Sequence, residues 1–93
     1  MSAPTDQEIL REARRLFRRL GDAKAKLVRL EQGGWAIVQR GSADSGRVKI
    51  RDEMVSAFCQ RGWLDERGEA LVLSAAGRSW AIAEVAGIDQ LAV

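Results

Sequence analysis

Residues 54–78 read MVSAFCQRGWLDERGEALVLSAAGR, and this stretch decides the fold. Met54, Val55, Phe58 and Cys59, joined upstream by Ile50, recur at helical spacing and predict the buried stripe of a helix over about 52–61. Gly62 stands just past its end, where a residue free to take positive φ is wanted. Trp63-Leu64-Asp65 and Ala70-Leu71-Val72-Leu73 are short apolar runs on either side of Glu66-Arg67-Gly68-Glu69, the pattern of a two-stranded hairpin. Ser74 then caps a further helix, about 75–86, with Ala76, Trp80, Ala83 and Ile82 turned inward and Gly87 at its end.

Upstream, Arg47-Val48-Lys49-Ile50 alternates polar and apolar and reads as extended, after a loop at Gly41-Ser42-Ala43-Asp44-Ser45-Gly46. Lys26-Leu27-Val28-Arg29-Leu30 and Trp35-Ala36-Ile37-Val38-Gln39 flank Glu31-Gln32-Gly33-Gly34, which predicts a hairpin. The competing reading is a helix over 23–32, since Ala23, Lys24, Ala25, Lys26 and Leu27 are good helix formers. The chain begins with an amphipathic helix over about 6–20, roughly 22 Å long at 1.5 Å per residue. Ile9, Leu10, Ala13, Leu16, Phe17 and Leu20 make its apolar stripe, and Gly21 stops it. Thr5 and Glu8 match the reciprocal capping pattern S/T-x-x-E.

With 93 residues, 46% of them hydrophobic and 30% charged, the chain is expected to be one folded domain, 1–93, with short flexible ends at about 1–4 and 88–93. Histidine is absent and Cys59 is the single cysteine, so there is no intramolecular disulfide and neither a zinc site nor an acyl-transfer triad is expected. Gly33-Gly34 lacks the Lys-Ser/Thr of a phosphate loop. These absences point to a non-enzymatic protein with no cofactor and no metal. No apolar run approaches the ~20 residues of a membrane span, and MSAPTDQE lacks the basic and apolar regions of a secretory leader. A cytoplasmic location is expected.

Net charge is +2, but it is unevenly placed. Residues 1–40 carry +4 and residues 41–93 carry −2, and the segment 9–30 alone carries +6. Arg11, Arg14, Arg15 and Arg18 lie on one side of the first helix at i, i+3, i+4 and i+7. Three readings stand for this face: a solvated helix surface, a phosphate contact through the planar guanidinium fork, or a contact with an acidic protein.

Arg61-Gly62-Trp63-Leu64-Asp65 followed by Ala70-Leu71-Val72-Leu73-Ser74-Ala75-Ala76-Gly77-Arg78 resembles the end of the recognition helix, the wing and the next helix of winged helix-turn-helix regulators of the MarR and PadR types. The resemblance covers roughly residues 50–84. It implies a small α+β winged helix domain in the order helix, β-hairpin, helix, wing hairpin, helix, binding double-stranded DNA and regulating transcription. The helix over 52–61 would then be the recognition helix, with Arg51, Glu53, Ser56, Ala57 and Gln60 facing outward. Arg51, Ser56 and Gln60 would donate to phosphates or base edges, Arg67 at the wing tip would touch the backbone, and Arg47 and Lys49 would bind phosphate. Two features depart from the family: Asp52 and Glu53 open the recognition helix, and a hairpin stands where a helix usually precedes it.

Trp63 and Trp80 fall on core positions rather than on a stacking platform, and Trp35 reads as core or as an exposed ring after the Gly-Gly turn. Cys59 is expected to be a buried thiol rather than a redox sensor. A bare winged helix reads one half-site, so a homodimer or a transcription-complex partner is expected. The apolar residues from Ala81 to Val85, with Ile88, Leu91 and Val93, are the candidate partner surface. The rival reading is a winged helix module that binds protein and not DNA. The two separate by where positive potential gathers: on the first helix with Arg47, Lys49 and Arg51, or nowhere near the second helix and wing.

Overall fold

The computed structural model describes residues 3–91, with side chains as far as Glu84. Its elements, in chain order, are α1 (Asp6–Leu20), β1 (Ala25–Arg29), β2 (Trp35–Gln39), β3 (Lys49–Ile50), α2 (Asp52–Gln60), β4 (Leu64–Arg67), β5 (Ala70–Leu73) and α3 (Ala75–Leu91). The class is α+β: three helices and one five-stranded antiparallel sheet ordered β3-β2-β1-β5-β4.

Residues 25–39 are the expected hairpin, not a helix. Leu27 pairs with Ile37 across it, and Leu27 also faces Leu71 of β5. Leu27 therefore sits at the centre of the sheet, fully buried, and tertiary packing overrides the local helix propensity of residues 23–27. The turn is closed by Leu30, whose N–H donates to the Gly34 carbonyl, and Gly33 and Gly34 both take positive φ there. The second hairpin, β4–β5, is not a separate flap. It shares the sheet with β1 and β2, because β5 pairs with β1.

One face of the sheet carries the core. Ile9, Ala13, Leu16, Phe17 and Leu20 of α1 pack with Leu27, Ile37, Ile50, Met54, Phe58, Leu64, Leu71 and Leu73. Phe17 is the hub. Its ring meets Phe58 at 5.1 Å, Trp63 at 5.6 Å and Trp80 at 5.7 Å, all edge to face, and Trp63 stacks on Trp80 at 4.7 Å. Such pairs contribute about 0.5–1.5 kcal/mol each beyond the area they bury. Trp35 is buried too, with the Arg29 guanidinium 4.9 Å above its ring.

The junction from α2 to α3 explains the sequence that decided the fold. Gly62 (φ +75) donates to the Cys59 carbonyl and Trp63 to the Phe58 carbonyl, the paired bonds of a Schellman stop, with the Trp63 ring returning onto Phe58. The Ser74 hydroxyl donates to the Gly62 carbonyl (2.6 Å) and accepts from the Gly77 N–H (3.0 Å). Gly77 packs against the Trp63 carbonyl so closely that a Cβ would overlap it. Arg78 donates to the Gly21 carbonyl at the end of α1 (2.8 Å). Ser-x-x-Gly-Arg thus ties the end of α2, α3 and α1 together.

Several expectations are corrected. The inward side of α3 is Gly77, Trp80 and Ala81, one residue on from the expected stripe; Ala76 and Ala83 are exposed and Ile82 is 70% exposed. The reason is Gly77, whose contact with Trp63 sets the rotation of the helix. Helix α3 also runs through Gly87 to Leu91, so residues 88–91, expected at a flexible end, are helical. A helical Gly costs about 1 kcal/mol relative to Ala, which neighbouring helical residues can outweigh. On α2, Ala57 packs against the core and Cys59 is exposed, the reverse of the expectation. At α1, Thr5 caps Glu8 as expected (3.2 Å), but the Glu8 carboxylate meets the Thr5 hydroxyl and Arg51 rather than the Thr5 N–H. Of the candidate partner surface, Val85, Ile88, Leu91 and Val93 lie outside the described side chains, and Ala81 is half-buried against the core.

Candidate nucleic-acid interface

The outer ridge of α1 is basic and open. Arg11, Arg14, Arg15 and Arg18 are all exposed. Arg14 pairs with Glu84 of α3 at 2.9 Å, and Arg15 pairs with Glu12 one turn earlier. Arg11 and Arg18 have no ion-pair partner among the described residues. Exposed ion pairs are weak, so a phosphate competes for Arg14 and Arg15 at little cost.

Folding brings part of the chain from 47 to 51 beside this ridge. Arg11, Lys49 and Arg51 line one groove of about 400 Å³ between α1, β3 and the start of α2, with Glu8 and Glu12 on its α1 wall. Arg47 is exposed in the turn just before β3. These residues are distant in sequence, and β3 is the edge strand that carries Lys49 to the side of α1.

The exposed side of α2 is different. Ser56 and Gln60 are exposed as expected, but both flanking arginines are tied back to α1: Arg51 to Glu8 at 3.3 Å and Arg61 to Asp6 at 2.8 Å. Arg61 also lies 5.6 Å above the Trp63 ring. Asp52 accepts from the Gly34 N–H and so caps the first hairpin turn. What α2 presents outward is hydroxyl, amide and carboxylate, with no unpaired cation among the described residues.

Arg67 is separated from the rest. It sits at the end of β4, the opposite edge strand from β3. Four strand spacings of about 4.8 Å put it roughly 19 Å from Lys49 along the sheet. The ten expected contacts therefore fall into three places: the ridge and groove, the α2 face, and the far edge of the sheet. The roles of Asp6, Glu8 and Arg61 as tethers were not read from the sequence. Only the Thr-x-x-Glu pattern hinted that acids gather at the start of α1.

The Cys59 thiol is pushed up from its ordinary value, first by partial burial and then by the Glu66 carboxylate. It stays protonated near neutral pH, a poor nucleophile despite its exposure. Among the described residues no three His, Cys, Asp or Glu side chains are arranged to hold a metal ion, and no helix is long and apolar enough to cross a membrane. Compared with protein-family models, with curated proteins and with solved structures, the chain matches none.

Proposed function

We propose that this chain is a non-enzymatic, winged-helix-type module that binds double-stranded DNA and serves transcription regulation in the cytoplasm, alone as a homodimer or within a larger complex. The observation that carries the reading is the open ridge of Arg11, Arg14, Arg15 and Arg18 on α1, of which Arg11 and Arg18 are unpaired among the described residues, with Lys49 at the rim of the groove that Arg11 lines. Clustered, flexible, unburied cations suit the phosphate backbone, which dominates affinity for duplex DNA. Here the hairpin β1–β2 replaces the helix that usually precedes the recognition helix.

The contact is weighted toward α1 and β3 instead of α2. Ser56 and Gln60 are the only expected base-reading groups on the exposed middle of α2, and Asp52 and Glu53 repel phosphate near its start. The reading is of backbone binding with modest sequence preference.

A second reading keeps a specific observation of its own. The α2 and wing surface holds Asp52, Glu53, Asp65, Glu66 and Glu69, which favours a protein-binding adaptor without direct DNA contact. Fluorescence anisotropy of a labelled random duplex, titrated at several salt concentrations, separates the two. Backbone binding gives a log–log salt slope of about −0.9 per phosphate neutralised, so four to six contacts give about −3.5 to −5.5. Absence of binding at ~50 mM salt, where non-specific contacts are strong, overturns the DNA reading and leaves the adaptor.

A further inference from the structure

The sheet has a second face, and no helix of the described chain covers it. Strand alternation sends Val28, Ala36, Val38, Ala70 and Val72 to the side opposite the core. Ala36 and Ala70 are 2% and 8% exposed, so the apolar surface open to a partner here is that of Val28, Val38 and Val72, which are half-buried. The register lines up one row across all five strands: Lys49 opposite Ala36, Ala36 opposite Val28, Val28 opposite Ala70, Ala70 opposite Arg67. The row is a shallow trough of small apolar residues with a cation at each end.

The charge around the trough is one-sided. Lys26 lies on the same face beside Val38, and Lys24 and Arg40 are neighbours at the end of the hairpin. All five cations, Lys24, Lys26, Arg40, Lys49 and Arg67, are exposed and have no ion-pair partner among the described residues. Among the described residues Asp65 is the carboxylate on the strands of this face, opposite Val72, while Asp22 beside Lys24 and Glu69 in the turn after Arg67 stand at its margins, so the cations outnumber the acids five to three.

We infer that this outer face of the sheet docks an acidic amphipathic helix of a partner protein. The trough spans β2, β1 and β5, two strand spacings or about 9.5 Å, which is close to the ~10 Å width of a helix. The short side chains of Val28, Val38 and Val72 leave the face low enough for a helix to lie on, and Lys49 and Arg67 stand one strand farther out on each side, placed for carboxylates on the two flanks of that helix. Single-stranded nucleic acid fits this face less well, since among the described residues it offers no aromatic ring to stack a base and Trp35 points into the core. Duplex DNA would meet the cations but leave the apolar row uncovered. The face shares Lys49 with the groove beside α1 but otherwise lies apart from the ridge, so the proposal does not rest on the DNA reading.

The test uses the full chain, labelled with nitrogen-15, titrated with synthetic helical peptides of about 16 residues, some 24 Å long. Each carries an Ala/Leu stripe flanked by Glu, and a matched set carries Lys instead. The expected result is saturable amide shifts at Val28, Ala36, Ala70 and Val72 with the Glu peptides and none with the Lys peptides. Lys49→Glu with Arg67→Glu, both exposed positions, should weaken binding about tenfold or more, as reversal of interfacial charges does. Arg11→Glu with Arg18→Glu should leave it unchanged. The inference is overturned if no Glu peptide at about 1 mM moves the outer-face amides, a concentration that detects even millimolar affinity. It is equally overturned if the shifts fall on α1, if both peptide sets bind alike, or if a duplex or a single-stranded oligonucleotide occupies this face more tightly than the Glu peptides.

Discussion

The outward faces of α1 and α2 start from similar material and end differently. Both helices begin with two acidic residues and lie next to arginines. On α1 the arginines fall on the side away from the core, and Arg11 and Arg18 remain unpaired among the described residues. On α2 the two arginines sit at the helix ends, where the N-terminal acids of α1 reach them. What an arginine is available to do depends on which element packs beside it, and that is why the helix a resemblance would name as the DNA reader is the more neutral of the two.

That contrast can be broken outright by separating the two helices. Phe17 and Phe58 join them in the core, and Phe17→Ala should cost about 3–5 kcal/mol, the range for a buried aromatic truncated to alanine. In a domain this small that is most of the stability, and thermal unfolding by circular dichroism should show little cooperative transition left. Gly77→Ala belongs with it. Ordinarily the change favours a helix, but here the new methyl overlaps the Trp63 carbonyl, so a lower melting temperature is expected instead.

The next effect sharpens the comparison. Arg11→Glu with Arg18→Glu removes unpaired cations only. It should weaken duplex binding by more than tenfold and flatten the salt slope by about 2 × 0.9, while leaving the melting temperature nearly unchanged. Ser56→Ala with Gln60→Ala on α2 should change affinity less than threefold. If α2 proves the more sensitive, the assignment of the contact to α1 fails.

A smaller effect runs the other way. Asp6→Asn with Glu8→Gln frees Arg61 and Arg51 and removes two negative charges. Affinity for duplex should rise several-fold and the salt slope should steepen, with little change in stability because the pairs are exposed. Unchanged affinity would show that the tethered arginines never reach the DNA.

The smallest effect concerns Cys59. Alkylation by iodoacetamide near pH 8 should be slower than for a free thiol and should quicken in Glu66→Gln, where the second cause of its raised pKa is gone. The folded state holds the thiol proton more tightly than the unfolded chain does. Its contribution to stability is therefore present below the unfolded thiol pKa and is lost as pH rises through the higher folded value. Unfolding midpoints measured between pH 7 and 10 should decline slightly, and the decline should shrink in Glu66→Gln.

Much of the fold was legible. Helix α1 runs over the predicted residues because its capping threonine, apolar period and terminal glycine agree. The helix, stop and hairpin from 52 to 73 were legible for the same reason: Gly62 and Gly68 take positive φ, and short-range hydrogen bonds set the direction of the chain beyond the first of them. The site was less legible. The arginine ridge could be read from helical spacing and Lys49 could be named as a cation beside it, but whether the two meet could not, because β3 reaches α1 only through the sheet order. The exposure of Cys59 on α2 had no local signal, and the rotation of α3 that exposes Ile82 had none because it depends on the contact of Gly77 with Trp63.

By itself the sequence determined the elements, their caps and turns, and the uneven placement of charge, all of which depend on residues within a few positions of one another. Only the tertiary structure decided that β5 pairs with β1, that one sheet face stays bare with a cation at either end, and that the arginines of α2 answer to the acids of α1. Those outcomes depend on which long-range contacts form together, and packing settles them by burying Leu27, Phe17 and Phe58 at the cost of every competing arrangement.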